Sequence, residues 1–165
     1  NAYREESYRA DSSCSSNLAG FCMGSSWNMN TTSVSLFRKQ LSIQFGFEVK
    51  MWSGGTRRSK HLLELSTVPL PTVLYVKISN DVPGFWGLTK NQVDRFEKCR
   101  VRWFSVFLHL GPSSGYLISG DQILNRVKSG KITLSIDGDY KFNETQDFES
   151  VQQFHDLDEL IGRIR

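Results

Sequence analysis

The sequence predicts a mixed α/β domain, and two observations carry that expectation. Helix-period and strand-period apolar patterns alternate along most of the 165 residues. The stretch VLYVKISNDVPGFWGLTKNQVDRF, Val73 to Phe96, also joins a β-prone run to a helical one through a turn-rich link. WFSVFL, Trp103 to Leu108, follows it as an almost continuous apolar run, which suits a strand buried on both faces.

Taken in order, residues 1–32 are polar and rich in Ser, Asn and Gly, without clear periodicity, and read as an irregular N-terminal arm. Asn1-Ala2 is set aside, having no start methionine. Phe21, Met23 and Trp27 are the residues that would dock such an arm. Residues 33–165 read as a single domain. Val34, Phe37, Leu41 and Phe45 recur at three- and four-residue steps, predicting an amphipathic helix over Ser33 to Phe45, ended by Gly46. Phe47 to Trp52 alternates apolar and charged residues and predicts a half-buried strand. SGGTRRSK is a basic loop, His61 to Ser66 a second strand, and Val68-Pro69-Leu70-Pro71 an extended turn. Val73 to Ile78 is the third strand. Asn80 to Gly87 reads as a turn-rich link, and Thr89 as the cap of a helix through Lys98.

Beyond Trp103 to Leu108, Tyr116 to Ile118 predicts a short paired strand, and Ser119 or Gly120 opens a helix through Val127. Lys131 to Ile136 and Tyr140 to Phe142 predict a hairpin about Asp137-Gly138-Asp139, since Asp-Gly favours tight turns. From Phe148 to Ile164 the apolar residues are spaced helically, with a break near His155.

Composition narrows the function classes. The 39% of hydrophobic residues supports a real core, and 20 basic against 17 acidic residues give a net charge of +3, too weak to assert nucleic-acid binding alone. No apolar run approaches the ~20 residues of a membrane span. Cys14, Cys22 and Cys99 are an odd set without paired spacing, which argues against a disulfide framework or structural zinc and points to a reducing cytoplasm. No phosphate loop, nucleophile elbow or Cys/His metal spacing occurs.

The element order, with Lys77 near the end of the third strand and T-K-N-Q-V-D-R-F opening the next helix, resembles the restriction-endonuclease-like fold, the PD-(D/E)XK nuclease superfamily. The resemblance covers roughly residues 33–127. It implies a three-layer α/β/α core with a mixed central sheet, to which this chain adds a C-terminal hairpin and helical tail. It also implies a divalent-metal-dependent nuclease site: an acid on strand two, and an acid-x-lysine on strand three. Two carboxylates hold Mg²⁺ through hard oxygens, and the metal polarises the phosphate while the lysine steadies charge.

Here the chain departs from that pattern. Lys77 matches the motif lysine, but Tyr75 stands where its acid belongs. His61 stands near the strand-two acid position, and Glu64 is the carboxylate of that strand. A literal Glu48-Val49-Lys50 reads as a decoy on strand one. The catalytic candidates implied are Lys77, Glu64, His61, Tyr75 and Gln92, with Glu64 and Asp81 as the candidate metal ligands. Each has a plainer reading: Lys77 snorkelling to solvent, Glu64 outward on an alternating strand, His61 structural. Asp94 and Glu97 on the following helix are candidates for a migrated acid, or simply surface residues.

Arg57, Arg58 and Lys60, with Lys90, are the nucleic-acid-binding candidates; a solvated loop is the plainer account of the first three. Trp86 is a base-stacking candidate or a core anchor. Asp137-Gly138-Asp139 lacks the spaced oxygens and closing Glu of a calcium loop, so a turn explains it. The expectation is a nuclease-related nucleic-acid-binding or DNA-processing protein, weakly active or inactive because the motif acids are replaced. Its partner would be DNA or RNA, with Mg²⁺ if active. The rival is a non-catalytic protein-interaction module on the same fold.

Overall fold

Strands β3 (Thr72–Ser79) and β5 (Arg102–His109) run side by side in parallel at the centre of the protein, in register from Thr72 opposite Arg102 to Ser79 opposite His109. A parallel pair needs a crossover, here supplied by β4 (Phe85–Thr89) and α2 (Lys90–Cys99). The computed structural model describes residues 29–54, 59–66 and 71–165, of which 29–32 as backbone only. The arm at 1–28, Arg57 and Arg58, and the Val68–Leu70 part of the proline turn lie outside the described residues.

The sheet order is β1-β2-β3-β5-β6-β8. β1 (Lys50–Met51), β2 (Leu62–Leu65) and β3 pair antiparallel in turn. β6 (Gly115–Ser119) and β8 (Gln153–Phe154) add antiparallel strands beyond β5. The fold is thus mixed α/β, with a mixed six-stranded sheet flanked by helices on both faces.

Alternation along the strands divides the core in two. On one face, Val34, Phe37 and Leu41 of α1 (Met29–Phe45) and Leu160, Ile161 and Ile164 of α5 (Leu157–Ile164) pack on Leu63, Leu74, Val76, Phe104 and Val106. On the other, Val93 and Phe96 of α2 and Ile123 of α3 (Gly120–Lys128) pack on Leu62, Val73, Tyr75, Trp103 and Phe107. Burying a side chain such as Phe37 or Phe96 contributes about 1.5–3 kcal/mol.

Local chemistry sets the boundaries. Gly46 ends α1 at φ +72°, its N–H reaching the carbonyls of Ser42 and Ile43. Ser119 opens α3 with a full capping box, accepting from the Gln122 N–H while the Gln122 side chain accepts from the Ser119 N–H. Gly120 is required next: a Cβ there would lie 2.3 Å from Trp103 Nε1. Asp156 caps α5 by accepting from the Glu159 N–H at 2.8 Å. Thr89 occupies the cap position of α2 in extended conformation but makes no side-chain cap bond.

Five details differ from the sequence expectation. α1 begins at Met29, four residues early. The strand expected over 47–52 pairs only at Lys50–Met51, although Val49 and Trp52 are buried. Part of the supposed link at 80–87 is strand β4, whose alternating Trp86 and Leu88 are buried and whose partner is β7 (Asp139–Asn143). The expected hairpin reduces to a bridge between Leu134 and Tyr140 around the turn at Gly138, on the edge of β7 away from β4. The tail contains α4 (Glu144–Asp147), a 3-10 turn (Ser150–Gln152), β8 and α5, with the expected break falling at 155–156. No helix among the described residues is long and apolar enough to cross a membrane.

Candidate nucleic-acid interface

Residues 73, 75, 77 and 79 of β3 share the face covered by α2. Lys77 stands there half-buried near the end of the strand, its ammonium 4.9 Å from the centre of the Tyr75 ring. Tyr75 is 5% exposed and sets its ring edge-on to Phe96 at 5.8 Å. Where the sequence resemblance expects an acid there is thus a core aromatic, and Lys77 rests on it by a cation–π contact.

His61 lies beside this pair, just before β2. Its N–H donates to Ser59 Oγ at 3.3 Å, its carbonyl accepts from the Val76 N–H of β3 at 2.8 Å, and its Nδ1 lies 3.2 Å from the Val76 carbonyl oxygen. Burial pushes the imidazole below its ordinary value; the Val76 carbonyl opposes this, while Lys77 and Lys60 add to it. His61 is thereby held toward its neutral form.

Glu64 shares the α2-side face with Leu62 but is opposite Val73, with Lys50 on its other side. Four residues of strand separate Val73 from Lys77, about 13 Å. Asp81 is exposed and turned to the end of β3: Ser79 Oγ donates to its carboxylate at 3.4 Å and accepts from its N–H at 3.2 Å. Glu48 precedes β1 and pairs with Arg38 of α1 at 3.2 Å, remote from the α2 side. Asp94 pairs with Lys90 on the outer surface of α2, and Glu97 is exposed. Among the described residues no three His, Cys, Asp or Glu side chains are grouped to hold a metal ion. A phenol is not a hard carboxylate ligand, so the residues around Lys77 do not fit Mg²⁺.

Near α2 the same face also brings cationic and hydrogen-bond-donating groups together. Gln92, half-buried on α2, accepts from Arg95 Nη1 at 3.4 Å. Arg95 lies over Trp52, its Cζ 4.7 Å from the ring centre, and its Nε donates to the Gly54 carbonyl at 3.2 Å. Trp52 in turn contacts Phe96 at 5.4 Å, so Tyr75, Phe96 and Trp52 form one aromatic strip between Lys77 and Arg95. Lys60 is exposed at the start of the β2 edge; Lys90 is bound to Asp94, which holds its ammonium above the ordinary value. Trp86 is 2% exposed, its Nε1 donating to the Leu108 carbonyl at 3.1 Å, so it is a core anchor.

The sequence reading missed a second polar cluster at the C-terminal end of β3 and β5. His109 Nδ1 lies 2.9 Å from Glu144 Oε1, and its Nε2 lies 2.8 Å from the Asp81 carbonyl oxygen. Tyr116 donates to the same Glu144 oxygen at 2.9 Å, and the Gly84 N–H donates to Glu144 Oε2 at 2.7 Å. Burial raises Glu144, but the Gly84, Tyr116 and His109 contacts outweigh it and hold the carboxyl below its ordinary value. Burial, then Glu144, pushes the Tyr116 phenol up to about 12. Each group is engaged by another, which makes this a brace for the 80–84 turn. Its members come from β5, β6 and α4, and no spacing in the sequence marks them.

No protein-family model and no curated protein matches the chain. Among solved structures, one to which it is similar is D212, a nuclease from a fusselovirus. The two share 15% identity at a TM-score of 0.47, over 84% of this chain and 88% of that one. At that level the likeness decides nothing about the site.

Proposed function

We propose that the chain is a nuclease-related nucleic-acid-binding protein that is weakly active or inactive as a nuclease. The observation that carries the reading is the setting of Lys77: it holds the strand-three position of the resemblance, yet rests on Tyr75 where the acid belongs. With Glu64 about 13 Å along the sheet and Asp81 engaged by Ser79, a two-carboxylate site has no counterpart near this lysine among the described residues. Besides Glu64, that face carries Lys77, Arg95 and Gln92, and the exposed Lys60 lies just before β2, with Arg57 and Arg58 adjacent to it in sequence. Such a surface binds the phosphate backbone with strong salt dependence. A mobility-shift titration with DNA and RNA at low salt, paired with a Mg²⁺ or Mn²⁺ cleavage assay, tests it. Binding without robust cleavage is expected. Robust cleavage abolished by Lys77→Ala overturns the inactive reading.

A protein-interaction module is the second reading. It is favoured by exposed Val82, Phe85 and Leu110, at 77%, 46% and 61%, around the turn that the His109–Glu144 brace holds. Absence of binding to any nucleic acid at low salt supports it over the first.

A further inference from the structure

Buried polar groups are almost always paired. Among the described residues four buried side-chain atoms are not, and three of them sit on the face between α2 and the sheet: Gln92 Nε2, Arg95 Nη2 and Ser105 Oγ. Ser105 lies opposite Tyr75 on β5. A hydroxyl can turn to a new acceptor, but the first two are fixed donors. The Arg95 guanidinium is anchored at three places, over Trp52, on the Gly54 carbonyl and on Gln92 Oε1, so its remaining N–H edge is held in one direction. Among the described residues no carboxylate pairs with Arg95. An uncompensated guanidinium beside an unpaired amide N–H is destabilising unless something else uses it.

The group that matches two neighbouring donors and one positive charge is an oxyanion. We propose that Arg95 and Gln92, held on Trp52, form a phosphate-binding site for a nucleic-acid backbone. This rests on the nucleic-acid reading above, and names the residues that take a phosphate. Both residues are half-buried, but the two unpaired nitrogens are themselves shielded from solvent, so an anion reaches them when the side chains swing outward and the guanidinium gives up its Gly54 or Gln92 bond. Lys77, at the other end of the Tyr75–Phe96–Trp52 strip, offers a second cation on the same face. Chain oxygens and an anionic ligand compete for Arg95 only through Gly54 and Gln92, both neutral, so nothing charged has to be displaced.

The test is an anisotropy titration with a labelled single-stranded oligothymidylate from low to moderate salt. It compares the unmodified protein with Arg95→Met, Gln92→Leu and Lys77→Met, alongside thermal melts. The site predicts that Arg95→Met and Gln92→Leu each weaken binding about tenfold, and that Arg95→Met lowers the salt slope by about one. It further predicts that Gln92→Leu melts at or above the temperature of the unmodified protein, because an unpaired buried donor has been removed. A purely structural pair predicts a lower melting temperature and unchanged binding. Should Arg95→Met not fold, Gln92→Leu, which keeps the Arg95–Trp52 stack, decides alone. If both variants bind normally while Lys77→Met is weakened, the nucleic-acid reading stands and this site is overturned. If the unmodified protein does not bind at all, both fall together.

Discussion

Lys77 carries its ammonium 4.9 Å above the ring of Tyr75, two residues earlier on the same strand. That contact stands where the sequence resemblance expects a carboxylate, and it makes three substitutions diagnostic. Lys77 is half-buried and its contact is a cation–π one, so Lys77→Ala is expected to change stability by no more than about 1 kcal/mol. Tyr75 is a core residue against Phe96, so Tyr75→Ala is expected to lose about 3–5 kcal/mol. Tyr75→Asp restores the motif letter but places a charge in an aromatic core, with Glu64 still far along the sheet. It is expected to destabilise strongly and to confer no Mg²⁺-dependent cleavage. Chemical denaturation and a nuclease assay check both outcomes.

The His109–Glu144 brace gives an acid-side dependence. Glu144 is held below its ordinary value in the folded protein. Its contribution is therefore full above the unfolded value and is lost as pH falls through the folded one. Glu144→Ala is expected to lose about 1–3 kcal/mol at pH 7 by orphaning the Tyr116 hydroxyl and the Gly84 N–H. Urea midpoints measured from pH 7 to 3 should fall less steeply in Glu144→Gln than in the unmodified protein.

His61 gives a dependence at higher pH. Its value is depressed by burial, with Lys77 and Lys60 adding to it. The unfolded chain then takes up the proton first as pH falls through about 6.5, so stability should decline from pH 7 toward 5.5. His61→Gln should flatten that decline. In Lys77→Ala, a proton NMR titration should show the imidazole shifted upward relative to the unmodified protein; an unchanged or lower value contradicts the proximity of the two groups.

The start of α3 lies on the same side of the sheet as the candidate interface, and Trp103, which Gly120 abuts, stacks on Phe96 at 4.7 Å. Ser119→Ala removes the capping box and is expected to cost about 1 kcal/mol. Gly120→Ala drives a Cβ against the Trp103 indole and is expected to cost about 1–3 kcal/mol. Ser119→Ala, whose bonds stay within the start of α3, should not alter nucleic-acid binding in the folded fraction; thermal melts and the same titration check this.

Much of the fold could be read from periodicity because each main element buries one face or two. WFSVFL has neighbours on both sides, β3 and β6, and apolar groups above and below, so its unbroken apolar run was informative. β4 reads as a link in the sequence because Pro83 and Gly84 just before it, and Gly87 within it, speak locally, whereas its partner β7 lies far along the chain and pairing is a tertiary fact. Gly87 marks that pairing: a Cβ there would meet Asp139 Oδ2 at 2.6 Å. β8, two residues long, has too little pattern to detect.

The site was half legible. Lys77, Tyr75 and Gln92 were singled out in one stretch because a strand and the helix packed on it bring sequence neighbours to one face. Arg95 and Trp52 were not, since their stack joins α2 to the far sheet edge. His109, Tyr116 and Glu144 converge only when three strand ends are folded together.

The most direct measurement of the central claim is the salt dependence of binding to a labelled oligonucleotide, run with and without Mg²⁺. The account predicts binding that weakens steadily with salt, weakens further in Lys77→Ala, and leaves the oligonucleotide intact. No binding at low salt, or robust Mg²⁺-dependent cleavage lost in Lys77→Ala, would contradict it.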